Sequence, residues 1–393
     1  MMQFANRVQQ IKPSPTLALN ACAKKMQAGG VNVINFTCGE PDFDTPEHIK
    51  QAAIKAINEG FTKYTPVEGI SELKDAIRNF LKREQGLDYA RDEIITTAGA
   101  KHAILLAMQV LLNKGDEVLI PAPYWVSYPD QVLLCDATPK IMPTNKADGL
   151  KITPNQLETA ITRQTKILIL NSPSNPTGAA YTENEIKKLA AICIRHNLFV
   201  ISDEIYDGIV FDGFRCKSIA SVNGMKELAV IVNGVSKRYA MTGWRMGFAA
   251  AQGSFIAKMG EIQGQSTTCV TSFTQKATIA AYDSPQDKLN EMLHAFNERR
   301  NYMIDRLNKM GLKCERPQGA FYAFPDVSGI LGKTLGGKKM EHASDISKYW
   351  LETAHVATVP GEAFGLDGYI RLSYATSLEN ITEGLNRIER NLI

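Results

Sequence analysis

No stretch of the sequence approaches the roughly 18 apolar residues that a membrane span needs, and the first residues lack the apolar core of a signal peptide. Cysteine is sparse and scattered. The seven cysteines (Cys22, Cys38, Cys135, Cys193, Cys216, Cys269 and Cys314) form no C-x-x-C pair and are odd in number. That pattern argues against a disulfide framework and for a reducing compartment, so the cytoplasm is the expected location. Charge of one sign is lacking too: 44 basic against 41 acidic residues leave +3, too even a balance for a nucleic-acid or membrane footprint. The six histidines make no H-E-x-x-H, no G-x-S-x-G elbow occurs, and no G-x-G-x-x-G opens a helix. The string Gly329 to Thr334 approaches a nucleotide-binding P-loop, but Val327 stands where that loop needs glycine.

What is present is ordinary globular composition, 44% hydrophobic and 22% charged over 393 residues. A chain of that length exceeds the usual size of one hydrophobic core, so two domains are expected. From Thr45 onward, strand-like and helix-like segments alternate. Thr45 and Pro46 read as the cap and first turn of a helix, and Ser71 reads as the cap of an amphipathic helix with Leu73, Ile77, Phe80 and Leu81 on one face. Residues 93–98 read as a strand that turns through Gly99 into a helix beginning at Ala100 and Lys101. Apolar runs at 117–120, 166–170, 198–202 and 228–232 read as further buried strands. Continuous apolar strands separated by helices imply an α/β fold, a mostly parallel sheet covered by helices on both faces. After about residue 288 the texture changes to a long charged helix, short strands near Phe321 and Tyr369, and a helix from Ala343. The expected division is a large domain over 46–288 and a smaller α+β domain from 1–45 with 289–393.

In such sheets ligands sit beyond the carboxyl ends of the strands. That rule selects Ala98 to Lys101, Asn171 to Gly178, Asp203 to Tyr206, and Gly234 to Lys237. In the last of these, Lys237 and Arg245 lie in an apolar stretch punctuated by Gly243 and Gly247. A lysine is almost never buried unless it is paired or used, so the stretch suggests a covalently held aldehyde on Lys237 and a phosphate on Arg245. The N-terminus of the helix at Ala100 suits a phosphate as well. The two prolines of Asn171 to Gly178 stiffen a loop that presents Asn175. Asp203 and Glu204 read either as a metal-binding acid pair or, with no further ligand nearby, as Asp203 facing a cationic ring nitrogen while Tyr206 faces a phenolate. Trp125 reads as a half-buried aromatic or as a flat ring stacked on a planar cofactor.

Together, Asn171 to Gly178, Ser202 to Tyr206, Ser236-Lys237, Gly243-x-Arg245-x-Gly247 and Arg371 in Tyr-Ile-Arg-Leu-Ser resemble the fold-type I, pyridoxal-phosphate-dependent aspartate aminotransferase family, most closely its bacterial aspartate/prephenate branch. The resemblance covers nearly the whole chain. It implies that Lys237 carries pyridoxal 5'-phosphate and that Asp203 partners its ring nitrogen. Asn175 and Tyr206 would contact the phenolic oxygen, and Trp125 would stack on the ring. Ala100, Lys101, Ser236, Arg245 and, from a second subunit, Tyr64 would hold the phosphate. The substrate α-carboxylate would meet Arg371 with Gly39 beside it, and Thr16 and Lys101 would read an acidic side chain. Position 234 is glycine where the family places a serine. The resemblance thus implies an aminotransferase, with no metal, that moves the amino group of aspartate or a similar acid to 2-oxoglutarate. Prephenate or aromatic specificity is the alternative, and a lyase on the same scaffold a more distant one. The implied assembly is a homodimer.

Overall fold

Ile167 and Ile169 face one way and Leu168 and Leu170 the other, and all four are buried. That alternation, repeated in neighbouring strands, is what a sheet with two covered faces requires. The computed structural model describes residues 2, 4–13, 15–284 and 287–392; the expected domain ends at 1 and 393 lie outside the described residues. Seven strands form the central sheet: β1 (Ile94–Thr97), β2 (Glu117–Pro121), β3 (Thr138–Met142), β4 (Thr165–Asn171), β5 (Phe199–Asp203), β6 (Ala229–Gly234) and β7 (Gly247–Ala250). Their order is β1-β7-β6-β5-β4-β2-β3. Only β7 runs against its neighbours, pairing antiparallel with β1 and β6, so its first residues lie at the edge where the other strands end. Separate apolar clusters cover the two faces, one containing Leu168, Val200 and Ile231, the other Ile167, Ile201 and Val230.

A second layer carries a three-stranded antiparallel sheet of β8 (Tyr322–Ala323), β9 (Val359–Pro360) and β10 (Ile370–Ser373), in the order β9-β10-β8. Its own core gathers Phe296, Phe321, Trp350 and Tyr374, and Ile34 and Phe36 from the N-terminal part join it. The expected α/β architecture with a smaller α+β layer is therefore the observed one. Five helices matter below: α1 (Pro15–Ala28), α2 (Ser71–Gln85), α3 (Ala100–Leu111), α4 (Tyr128–Leu134) and α5 (Asp287–Lys309).

Two expected caps are corrected. Thr45 does not cap the following helix, which begins at Glu47 with Pro46 before it; the Thr45 hydroxyl donates instead to the Ala240 carbonyl, 2.8 Å away. Ser71 is the first residue of α2 rather than its cap, and no side chain caps that end. At Thr45 a tertiary partner outweighs the local propensity of a hydroxyl. Between the long helix and the one from Ala343, a short hairpin pairs Thr334–Leu335 with Lys338–Lys339.

Candidate active site

The carboxyl ends of β1, β4, β5 and β6 meet the second layer around a cavity of about 410 Å³. Of the residues that the resemblance assigns to cofactor or substrate, all but Tyr64 line it: Thr16, Gly39, Ala100, Lys101, Trp125, Asn175, Asp203, Tyr206, Ser236, Lys237, Arg245 and Arg371; Glu204, the other half of the possible metal-binding pair, does not. Tyr64 is 90% exposed and does not line this cavity.

Lys237 rises from the turn after β6, and its ammonium donates to the Gly39 carbonyl at 2.6 Å. Burial, with help from Arg245 and Arg371, outweighs the pull of Glu40 and Cys38 and brings its pKa down to about 8. A substantial fraction is thus free amine near neutral pH, the form that attacks carbonyls.

Asp203 ends β5 and is buried. Burial pushes its pKa up, while the Tyr128 hydroxyl (2.6 Å to Oδ2), the backbone N–H of Ile205 (3.2 Å to Oδ1) and Lys237 act in the opposite direction. The same strand end delivers Tyr206, whose hydroxyl shares a 2.8 Å hydrogen bond with that of Tyr322. Burial holds the Tyr206 phenol protonated, well above its ordinary pKa.

Asn175 sits in the loop after β4. Its backbone N–H donates to Asn171 Oδ1 at 2.9 Å, and its side-chain Oδ1 accepts from Arg371 Nη1 at 2.9 Å. Arg371 is fully enclosed on β10: Nη2 donates to the Thr37 carbonyl, the guanidinium lies 4.4 Å from the Tyr322 ring centroid, and Nε has no hydrogen-bond partner. A buried orphan N–H on a guanidinium is costly unless a ligand supplies an acceptor.

At the other end of the cavity α3 begins after Gly99 with no side chain capping it, so its first N–H groups point into the cleft. Arg245 is held beside it by the carbonyls of Thr242 (2.8 Å) and Ala98 (3.3 Å). The Lys101 ammonium lies 4.9 Å from the Trp125 ring centroid. Burial and the nearby Arg245 both depress its pKa, and among the described residues no carboxylate pairs with it.

Position 234 has a physical explanation. A Cβ there would stand 2.7 Å from the Met246 carbonyl oxygen and 2.8 Å from Gly247 Cα. β6 and β7 approach too closely at that point to admit the serine side chain that the resemblance led one to expect.

The residues suit pyridoxal 5'-phosphate. An uncapped helix start with Arg245 and Ser236 matches the phosphate, a buried carboxylate at the far side matches a protonated ring nitrogen, and Lys237 lies between with a partly free amine. The orphan Arg371 Nε matches a substrate carboxylate. Sequence reasoning missed Tyr128, Tyr322, Asn171 and Glu40. Tyr128 opens α4 just after Trp125 and carries no pattern that marks it; Tyr322 and Glu40 come from distant segments and carry no local signal.

This site and fold define a pyridoxal-phosphate enzyme of the α/β class. The family model for aminotransferase class I and II matches residues 31–388. An aspartate aminotransferase of Geobacillus stearothermophilus is 46% identical over 391 residues, covering 99% of this chain and 98% of its own. A probable aspartate/prephenate aminotransferase of Rickettsia bellii is 45% identical over 394 residues, covering 99% of both. Among solved structures, the aspartate aminotransferase of Rhizobium meliloti superposes with a TM-score of 0.97 at 45% identity, over 100% of this chain and 99% of that one. The chain belongs to the class I and II aminotransferases, and it is a pyridoxal-phosphate-dependent transaminase.

Proposed function

We propose that the chain transfers the amino group of aspartate, or a similar acidic amino acid, to 2-oxoglutarate by ping-pong chemistry. The observation that carries this is a charge count in the cavity. Lys101, Lys237, Arg245 and Arg371 face only Asp203 and Glu40. Lys237 serves the cofactor, Arg245 its phosphate and Arg371 the α-carboxylate. Lys101 is left over, near Thr16, for a second carboxylate.

When bound, pyridoxal 5'-phosphate supplies an aldehyde that takes up the amino group and a ring that accepts electron density from Cα. The protein does the rest. Arg371 would grip the α-carboxylate and so orient the substrate for loss of the Cα proton rather than of the carboxylate. Lys237 Nζ takes the Cα proton and returns it one carbon away, which needs an amine with a pKa near the working pH. Asp203, whose ionised form the Tyr128 hydrogen bond favours against burial, would hold a proton on the ring nitrogen. Asn175 and Tyr206 donate to the phenolic oxygen, and Trp125 covers one face. Ser236, Arg245 and the backbone at Ala100 and Lys101 hold the phosphate.

Tyr64 completes the phosphate site from a second copy of the chain, making the active unit a homodimer. Its position away from the cavity of its own subunit supports this reading. The large and small domains are taken as 46–288 and 1–45 with 289–393, and the cytoplasm as the compartment; among the described residues no helix is long and apolar enough to cross a membrane.

The name of the Rickettsia relative, with Leu17, Ile104 and Val126 along the same cavity wall, favours prephenate as a second acceptor. An amino-donor screen against 2-oxoglutarate, oxaloacetate and prephenate tests both readings. Turnover of aspartate with 2-oxoglutarate is expected to dominate. A preference for neutral or aromatic donors overturns the aspartate assignment.

A further inference from the structure

The residue that follows Lys237 has no part in the chemistry above, yet it is a buried cation. Arg238 is 7% exposed. While Lys237 projects into the cleft, Arg238 points the opposite way, into the body of the molecule. Its Nη2 donates to Glu84 of α2 at 2.7 Å and its Nη1 lies 3.7 Å from Asp207. The guanidinium also stands 5.0 Å from the Phe80 ring centroid.

Two details show that the surroundings are shaped to this side chain. Gly208 presses against it, so that a Cβ at position 208 would come within 2.6 to 2.8 Å of Cγ, Cδ and Nε. Asp207 also accepts from Asn233 Nδ2 at 3.0 Å, while Asn233 Oδ1 accepts from the Gly234 N–H at 2.7 Å, so the ionic contact continues into the end of β6. Asp207 belongs to the turn that carries Asp203 and Tyr206, its N–H bonded to the Glu204 carbonyl at 3.0 Å. One planar guanidinium therefore touches the turn of the reactive lysine, the turn of the ring-nitrogen carboxylate, and a helix behind both.

We propose that Arg238 is a positioning residue for amino transfer, its guanidinium locking the turn that bears Lys237 against the turn that bears Asp203 and Tyr206. The proposal rests on the roles assigned above to Lys237 and Asp203. Proton transfer between Lys237 Nζ and the two carbons it serves requires placement to a fraction of an ångström, and small displacements from outside the site cost rate rather than affinity. A lysine cannot substitute, because a single ammonium does not span two carboxylates as a planar fork does.

Two variants test this. Arg238→Met with Asp207→Asn removes the two most buried charges together, and Glu84, the other acid Arg238 meets, keeps Arg83 at 3.0 Å, so no buried acid is left unpaired to unfold the protein; Arg238→Lys keeps the charge and loses the fork. In the cofactor-loaded enzyme, kcat per loaded site is expected to fall about tenfold or more in the double variant and less in Arg238→Lys, with KM for the amino donor within about twofold of wild type. In the apoenzyme, amide hydrogen exchange over residues 235–241 is expected to speed up about tenfold in both. Wild-type kcat in the loaded variants, or unchanged exchange in the apoenzyme, overturns the proposal. Should the double variant not fold, Arg238→Lys decides by the same two readouts. Lys237→Ala separates the two levels: if it keeps turnover, the underlying reading of the site fails, whereas a dead Lys237→Ala beside fully active Arg238 variants refutes only the positioning role.

Discussion

The Tyr128 hydroxyl donates to Asp203 Oδ2 at 2.6 Å, inside a region where both side chains are buried. Burial drives Asp203 toward its neutral form and leaves its pKa raised; the Tyr128 hydrogen bond is the strongest influence acting against it. Asp203→Asn is expected to keep the cofactor while slowing the single-turnover rate by roughly 10²- to 10³-fold, as loss of a preorganised charge does elsewhere. Tyr128→Phe removes one hydrogen bond to a charged group, worth about 1.5–3 kcal/mol. It should move the acid limb of the kcat profile to higher pH, because the Asp203 pKa then rises further. An unmoved acid limb would show that Tyr128 does not sustain the ionised carboxylate.

Lys237 offers a test in the apoenzyme. With its pKa down to about 8, only the deprotonated amine combines with the aldehyde. The reconstitution rate should climb roughly tenfold per pH unit below that value and level off above it. A plateau beginning only near 10 would mean that burial does not depress this amine.

Arg371 has two anchored ends and one orphan N–H. Arg371→Lys loses the parallel two-point grip and is expected to cost about 2–3 kcal/mol in kcat/KM, roughly 30- to 150-fold, for amino and keto substrates alike. Loss confined to dicarboxylates would instead place Arg371 at the side-chain end of the substrate.

Glu204 is buried beside the site and accepts from the hydroxyls of Ser202 and Ser218. Burial, reinforced by Asp207 and Asp203, raises its pKa from 4.5 to about 7. Between those values the folded protein binds the proton more tightly than the unfolded chain does. Stability contributed by this group is therefore full below about 4.5 and declines as pH rises toward 7, by on the order of 2–3 kcal/mol. Glu204→Gln abolishes the titration, so its melting temperature relative to wild type should increase across that window and stay constant above it. A pH-independent difference rules the linkage out.

The trans assignment of Tyr64 predicts complementation. Tyr64→Ala and Lys237→Ala each cripple the homodimer, but a mixed dimer has one intact site, since the Lys237 of one copy meets the Tyr64 of the other. Random re-association of equal amounts should recover about a quarter of wild-type activity, measured after mixing unfolded chains and refolding them. No recovery in a preparation shown to contain mixed dimers means that Tyr64 serves its own subunit or none.

Much of this site was legible because its parts sit just past apolar strands, where local pattern and topology agree. Lys237, Asp203, Asn175 and the start of α3 each follow a strand that hydrophobic runs reveal directly. Arg371 and Gly39 were reached only through the family resemblance. Tyr322 and Tyr128 were not reached, since each gains its meaning from a partner 116 or 75 residues away. The cap assigned to Thr45 was wrong for the same reason, its hydroxyl being drawn to a distant carbonyl, whereas Ser71 missed by one position, since the helix already begins there. The strands Thr138–Met142 and Gly247–Ala250 were not read at all, and with the second of them the reversal of β7 stayed hidden, because a short run next to the Lys237–Arg245 stretch carries no strand pattern of its own.

That reversal governs how the segment from Lys237 to Arg245 tolerates change. Because β6 and β7 are antiparallel neighbours in fixed register, with Gly234 opposite Gly247, the chain must leave and re-enter the sheet at one edge within a set number of residues. The segment works as a ruler. Exchanging its residues alters grip or rate one contact at a time, whereas inserting or deleting a single residue changes the spacing of lysine and arginine between two strand ends that pairing holds in place.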